Sequence, residues 1–196
     1  MDLRAVVRDY RLRFRPNARA ELESFSREPT LAAAIGRAAL AESPNRRRYR
    51  HQWRIKRLSL KRGAEVLSAR VSEIQETADF ATLHDLLEET VGPIKGLGPV
   101  YLYDTAFRIG AKRGFFPKRV YLHAGTLVGA KALRQRTRGR AALEVSEVPE
   151  AFRQLEPHEI EDVLCIYKGY FLGEKRIGDI EPCCTDGKAA TLSVAC

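Results

Sequence analysis

LLEETVGPIKGLGPVYLYDTAFRIGAKRG, residues Leu86 to Gly114, is the stretch that decides the fold. Apolar residues recur every three to four positions on both sides of the turn Ile94–Gly98, which predicts two helices joined by a tight connection. The two glycines of the turn allow the chain to reverse in conformations that a Cβ would penalise. Pro99 is expected to open the second helix, because its missing N–H costs nothing there. Gly114 is expected to end that helix.

The turn also predicts an anion site. Backbone N–H groups in the turn and in the first turn of the second helix have no partners within the helix, and the helix dipole lies behind them. On a duplex the anion is a phosphate. Lys95, at the tip, adds a charged contact, so the expected nucleic-acid-binding residues here are Lys95, Gly96, Leu97 and Gly98. An ordinary αα-corner that binds nothing is the alternative.

The turn consists of an apolar residue, then any residue, then Gly-Leu-Gly at the start of a helix. This pattern resembles the hairpin of helix-hairpin-helix DNA-binding proteins. The resemblance implies an all-α fold, an orthogonal helical bundle that contains the hairpin. It also implies that duplex DNA is gripped by its phosphates, without regard to sequence.

The charge of the chain is concentrated in its first third. The 196 residues carry a formal net charge of +9. Basic residues outnumber acidic ones by 18 to 7 through Arg70, whereas the remainder has 16 basic and 18 acidic residues. Such polarised charge favours a polyanionic partner. The sequence shows no apolar run long enough to span a bilayer and no secretory signal, which favours the cytoplasm.

RRRYRHQWRIKRLSLKR, residues Arg46 to Arg62, is the densest basic feature, with nine basic residues and no acid. It is expected to widen the phosphate-binding footprint, with a solvated face as the alternative. Tyr49 and Trp53 are candidates for stacking on bases, although burial of Trp53 in the core is the favoured interpretation. The expected phosphate-binding residues of this segment are Arg46, Arg47, Arg48, Arg50, Arg54, Lys56 and Arg57.

The rest of the chain is also predicted to be mostly helical. Residues 2–15 show helical spacing that stops at Pro16, with a strand as the alternative. A helix is expected after a Thr30 cap, a long one over Ser59–Glu76, and another from Thr82 to Val91. A longer helix opens at Pro157. The predicted organisation is one helical domain over residues 1–173 and a loose tail over 174–196.

The length and the all-helical pattern, together with the hairpin, are similar to the helix-hairpin-helix DNA glycosylases, over roughly residues 80–135. That family places an aspartate after an apolar segment about twenty residues beyond the second helix; here Val120–Leu122 is followed by His123. Its bifunctional members carry a lysine just after the turn, where Pro99 and Val100 stand here. The candidate catalytic residues are therefore His123, as a base for water, and Asp104, as an alternative carboxylate.

Asp104 also has a structural interpretation, as an exposed pair with Arg108 four positions on. No metal site or cofactor is predicted, because the four cysteines lack zinc-ligand spacing and the acids are scattered. Cys165 is expected to be a buried apolar residue. The leading hypothesis is non-sequence-specific DNA binding; the alternatives are a monofunctional DNA glycosylase and a module that binds RNA or protein.

Overall fold

The computed structural model describes residues 1–49 and 52–181, and the fold is all-α. Ten α-helices and one two-stranded sheet lie in this part of the chain. The helices are α1 (Leu3–Arg13), α2 (Arg15–Ser26), α3 (Leu31–Ala39), α4 (Arg57–Ser68), α5 (Val71–Glu76), α6 (Phe80–Val91), α7 (Pro99–Arg113), α8 (Ala124–Ala132), α9 (Pro157–Ile166) and α10 (Lys168–Phe171). The strands are β1 (Val120–Tyr121) and β2 (Ala142–Leu143). Short 3₁₀ turns cover Val145–Glu147, Glu150–Phe152 and Ile177–Asp179.

The chain divides into two compact units. We call Arg19–Pro117 the hairpin unit, and Met1–Ala18 together with the chain from Lys118 onward the terminal unit. The predicted domain boundaries, 1–173 and 174–196, stay a prediction. Ile180, within the segment expected to be a loose tail, is buried in the core of the terminal unit. Residues 182–196 lie outside the described residues.

Helix α7 is the central element of the hairpin unit, where it packs against α3 and α6. It begins at Pro99 and ends at Gly114, whose φ of +73° is a conformation that glycine adopts without strain. Both boundaries were predicted and are confirmed. Its inward stripe includes Ala106 and Ile109, which are fully buried.

Other boundaries differ from the predictions for identifiable reasons. Helix α6 begins at Phe80, two residues before the predicted Thr82, because Asp79 and Thr82 form a reciprocal capping box. Pro16 does not stop a helix; it lies in the first turn of α2, where proline is tolerated. The long helix predicted over Ser59–Glu76 is divided into α4 and α5.

In the terminal unit, α8 packs on α9, and α1 contacts α9 and the 3₁₀ turn Glu150–Phe152. Helix α1 confirms the helical interpretation of residues 2–15 over the strand. Strand β1 pairs antiparallel with β2, with Val120 opposite Leu143. Arg15 forms an ion pair of 2.5 Å with Glu159, whose side chain is only 2% exposed. This pair fixes the start of α2 to the first turn of α9.

Candidate nucleic-acid interface

The connection between α6 and α7 is a tight turn with an exposed tip. The Leu97 N–H donates to the Ile94 carbonyl at 3.0 Å, and Gly96 adopts a φ of +97°. An L side chain rarely adopts that angle, so the turn requires glycine here. Lys95, Gly96 and Gly98 are exposed, whereas Leu97 is buried. The predicted binding residues of the turn therefore divide into an accessible tip and one apolar anchor.

The amides at this tip are available to a ligand. Gly98 caps α7 without a side-chain hydrogen bond, and the first bond into the helix runs from the Leu102 N–H to the Gly98 carbonyl at 3.1 Å. Within residues 1–49 and 52–181, the N–H groups of Gly96, Gly98 and Val100 donate to no protein acceptor. Exposed donors of this kind, at the positive end of a helix dipole, form an anion-binding arrangement.

The turn packs against α4, at the end of the arginine-rich segment. The Ser59 hydroxyl donates to the Lys95 carbonyl at 2.8 Å. A Cβ built on Gly63 would lie 3.0 Å from Leu97 Cδ1 and 2.9 Å from the Tyr101 hydroxyl, so only glycine leaves room for this contact. The structure thereby brings the hairpin and the first turns of α4 together, two features that are separated by more than thirty residues in the sequence.

The side chains of the arginine-rich segment point mainly to solvent. Arg46, Arg47, Arg54, Lys56 and Arg57 are exposed. Arg46 has a carboxylate partner, Glu42, at 3.5 Å. For the other four, no carboxylate of the described residues lies within ion-pair distance. Uncompensated cations on one loop repel one another, and they attract polyanions.

Arg48 and Trp53 of this segment are held by hydrogen bonds within the loop. Arg48 is half-buried and donates to the Trp53 and Ile55 carbonyls at 3.3 and 3.0 Å, so it braces its own loop. Arg50 lies outside the described residues. The favoured prediction for Trp53 is wrong: 61% of the residue is exposed, and its indole N–H donates to the Arg48 carbonyl at 3.2 Å.

The prediction of an exposed Asp104–Arg108 pair is also wrong, because Arg108 is only 3% exposed. The Arg108 guanidinium donates to Glu21 at 2.9 Å and to the Gln52 side-chain carbonyl at 3.1 Å. It also lies 3.9 Å from the centre of the Tyr49 ring. Burial lowers the pKa of Arg108, but the combined effect of Glu21, Asp104 and Tyr49 raises it by more, so the guanidinium keeps its charge inside the unit.

Asp104 belongs to the same network, since the Gln52 amide donates to its carboxylate at 2.9 Å. Tyr49 covers the guanidinium from the other side, and burial is the main cause of the raised pKa of its hydroxyl. Gln52 and Tyr49 are both residues of the arginine-rich segment. The network therefore fixes that segment to α7, which accounts for Asp104 in structural terms.

His123, the other candidate catalytic residue, caps α8 in the terminal unit. Its Nε2 lies 3.7 Å from Oε2 of Glu161, a buried carboxylate that also accepts the Tyr121 N–H at 2.7 Å. At 3.7 Å the two atoms are within ion-pair range but farther apart than a hydrogen bond. Glu161 was not predicted as a site residue, because spacing along the chain does not reveal that α9 contacts β1. The catalytic roles of His123 and Asp104 stay predictions.

The described residues contain one group with the chemistry of a metal site. Single ligand atoms of His84, Asp85 and Glu88 lie within 4.8 Å of one another on α6, where the two acids are exposed. Exposed acids of this kind are common without an ion. Cys165 on α9 is half-buried, not buried as predicted, and it forms no disulfide with another described residue. Cys183, Cys184 and Cys196 lie outside the described residues.

Comparison of the chain with protein-family models, with curated proteins and with solved structures gave no match. Among the described residues no helix combines the length and the apolar character needed to cross a bilayer. The function is therefore inferred from the chemistry of the site.

Proposed function

We propose that this protein binds DNA through its phosphate backbone, without base-specific contacts. The observation that carries the proposal is the position of the exposed Gly96 and Gly98 amides against α4, held by the bond from the Ser59 hydroxyl to the Lys95 carbonyl. A helix N-terminus alone attracts one anion. Here the N-terminus of α7 adjoins the arginine-rich segment with its exposed cations. The backbone amides and these cations together can bind successive phosphates of one strand.

The hairpin and the arginine-rich segment have complementary parts in this binding. The backbone amides fix one phosphate by directed hydrogen bonds, whereas long arginine and lysine side chains follow the neighbouring phosphates. If about five phosphates are neutralised, the logarithm of the association constant falls with the logarithm of salt concentration with a slope of about −4.5. Such binding tolerates any base sequence.

The test is a double substitution in the turn, Lys95→Glu with Gly98→Val. Lys95 is exposed, and a Cβ at Gly98 meets no atom within 4 Å, so the variant is expected to fold. The valine covers the amides, and the glutamate repels phosphate. Duplex affinity in a gel-shift assay should fall at least tenfold, and the salt slope should become shallower by about 1 to 2.

The matched control carries the same two changes in the terminal unit, Lys118→Glu with Gly178→Val, where a Cβ also meets open space. The control changes net charge equally, so it reports any loss caused by charge alone. Equal affinities of the two double variants would contradict the part assigned to the hairpin. Tighter binding of structured RNA than of duplex DNA at matched salt would favour an RNA-binding module instead.

A further inference from the structure

A cleft of about 360 Å³ lies beside the arginine-rich segment, within the hairpin unit. Its aliphatic lining residues are Leu40 and Leu60. Trp53 lines one part, and four cationic side chains, Arg46, Arg48, Arg57 and Lys61, line the rest together with the Glu42 carboxylate. The volume lies near the lower end of the range of roughly 300–1,000 Å³ found for small-molecule sites.

The Trp53 ring is held in place although most of it faces solvent. Its indole N–H donates to the Arg48 carbonyl, and the Arg48 guanidinium returns a bond to the Trp53 carbonyl. This reciprocal pair fixes the ring relative to the loop. An exposed, fixed aromatic face loses little conformational entropy when a flat group stacks on it.

The composition of the cleft selects the kind of ligand. An excess of cations over the single carboxylate favours an anion, and an indole face favours a flat aromatic group. A nucleotide carries both in one molecule. Within a duplex the faces of each base are covered by its neighbours, so only an unpaired nucleotide offers a free face to Trp53.

We propose that this cleft binds one unpaired nucleotide of a DNA strand, with its base stacked on Trp53 and its phosphate contacted by Arg57 and Lys61. The inference rests on the proposed DNA binding and defines its substrate class: DNA with a gap, a bulge or a single-stranded end. Glu42 serves as the acceptor for an amino group on the base. The hairpin holds the adjoining backbone.

Trp53 is the sole tryptophan of the chain, so its fluorescence reports directly on the cleft. The wild-type protein is titrated with a short single-stranded oligonucleotide and, in parallel, with an oligonucleotide of equal length whose residues are all abasic. Both carry the same phosphates. Stacking should quench the emission with the first oligonucleotide only, and equal quenching by both, or by neither, would overturn the proposal.

The matching variants are Trp53→Ala and, as control, Leu58→Ala, an exposed apolar residue of α4 that does not line the cleft. Trp53→Ala should lose roughly tenfold or more of the affinity for a gapped duplex, the effect of removing one stacking contact. Its affinity for intact duplex should stay within twofold. Circular dichroism melting verifies that both variants fold.

The two proposals fail in different ways. If the hairpin variant loses duplex binding but Trp53→Ala binds gapped DNA as well as the wild type does, the cleft is not a nucleotide site and the hairpin proposal stands. If the wild type binds neither intact nor gapped DNA, the proposed function itself is wrong. Tenfold weaker gapped-duplex binding by Leu58→Ala would also overturn the part given to Trp53.

Discussion

Replacing Arg108 by methionine should destabilise the hairpin unit strongly. Methionine keeps much of the side-chain length and apolar contact, but it removes a charge that donates to Glu21 and Gln52 and lies against Tyr49. Because Arg108 is 3% exposed, water cannot replace these interactions at the same place. The cost is therefore far above the few tenths of a kcal/mol expected for an exposed pair on a helix.

The magnitude follows from the three partners taken in turn. Gln52 is 2% exposed, and leaving its carbonyl oxygen without a donor costs about 1–3 kcal/mol. Loss of the cation–π contact with Tyr49 costs about 1 kcal/mol. The side chain of Glu21 is 33% exposed, so water solvates it after the change and the ion pair is discounted to about 1 kcal/mol. Together these give about 4 kcal/mol.

Urea denaturation followed by Trp53 fluorescence is the assay, because Trp53 adjoins Gln52 in the sequence. The free energy of unfolding should fall by about 4 kcal/mol, which corresponds to roughly 10 °C in the melting temperature for a chain of this length. Arg62→Met is the control, since Arg62 is exposed and has no carboxylate partner among the described residues. A loss of less than 1 kcal/mol in the Arg108 variant would refute the reasoning.

Two further predictions concern packing and pH. Gly129→Ala should lower the free energy of unfolding by several kcal/mol, because the new Cβ would lie 2.0 Å from the Leu164 carbonyl oxygen. Gly36→Ala is the control: its Cβ meets open space on α3, so it should raise that free energy by roughly 0.5–1 kcal/mol. Thermal melts of the two variants measure the difference. Burial raises the pKa of Glu159, but the hydrogen bonds from Arg15 and from the Glu156 N–H, together with the neighbouring positive charge, lower it by more, so the net shift is downward. That pair stabilises the fold above pH 4.5, and its contribution is lost as the pH falls below that value. Glu159→Gln should show a smaller loss of stability on acidification than the wild type in urea titrations at pH 6 and pH 3.

Local rules predicted the central part of the fold. Pro99 and Gly114 bound α7 because each acts through its own backbone, proline by lacking an N–H and glycine by accepting a positive φ. The same rules misjudged Pro16, because proline is tolerated in the first turn of a helix as readily as it ends one. Sequence spacing alone does not distinguish these two positions.

The surroundings of individual side chains were not predictable from spacing. Arg108 was expected on the surface, yet its partner Glu21 comes from a helix 87 positions earlier. Trp53 was expected in the core on the general preference of large aromatics. Its exposure follows from the backbone of the loop, which turns at Arg46 with a φ of +59° and is braced by Arg48. The position of Arg108 depends on a contact distant in the chain, whereas that of Trp53 depends on contacts within its own loop.

The buried arginine and the exposed tryptophan have one physical explanation. In a loop with several exposed cations and few acids, the like charges repel one another, and this repulsion favours an extended loop that does not pack on the fold. The network of Arg108 with Gln52 and Tyr49 counters this by fixing these two residues of the loop to α7. A loop held in this way keeps its charges and the indole ring outward at fixed positions, as the proposed binding of a phosphate strand requires. Loss of Arg108 is therefore expected to weaken gapped-DNA binding even at temperatures where the variant remains folded, because the cations keep their charge but lose their arrangement.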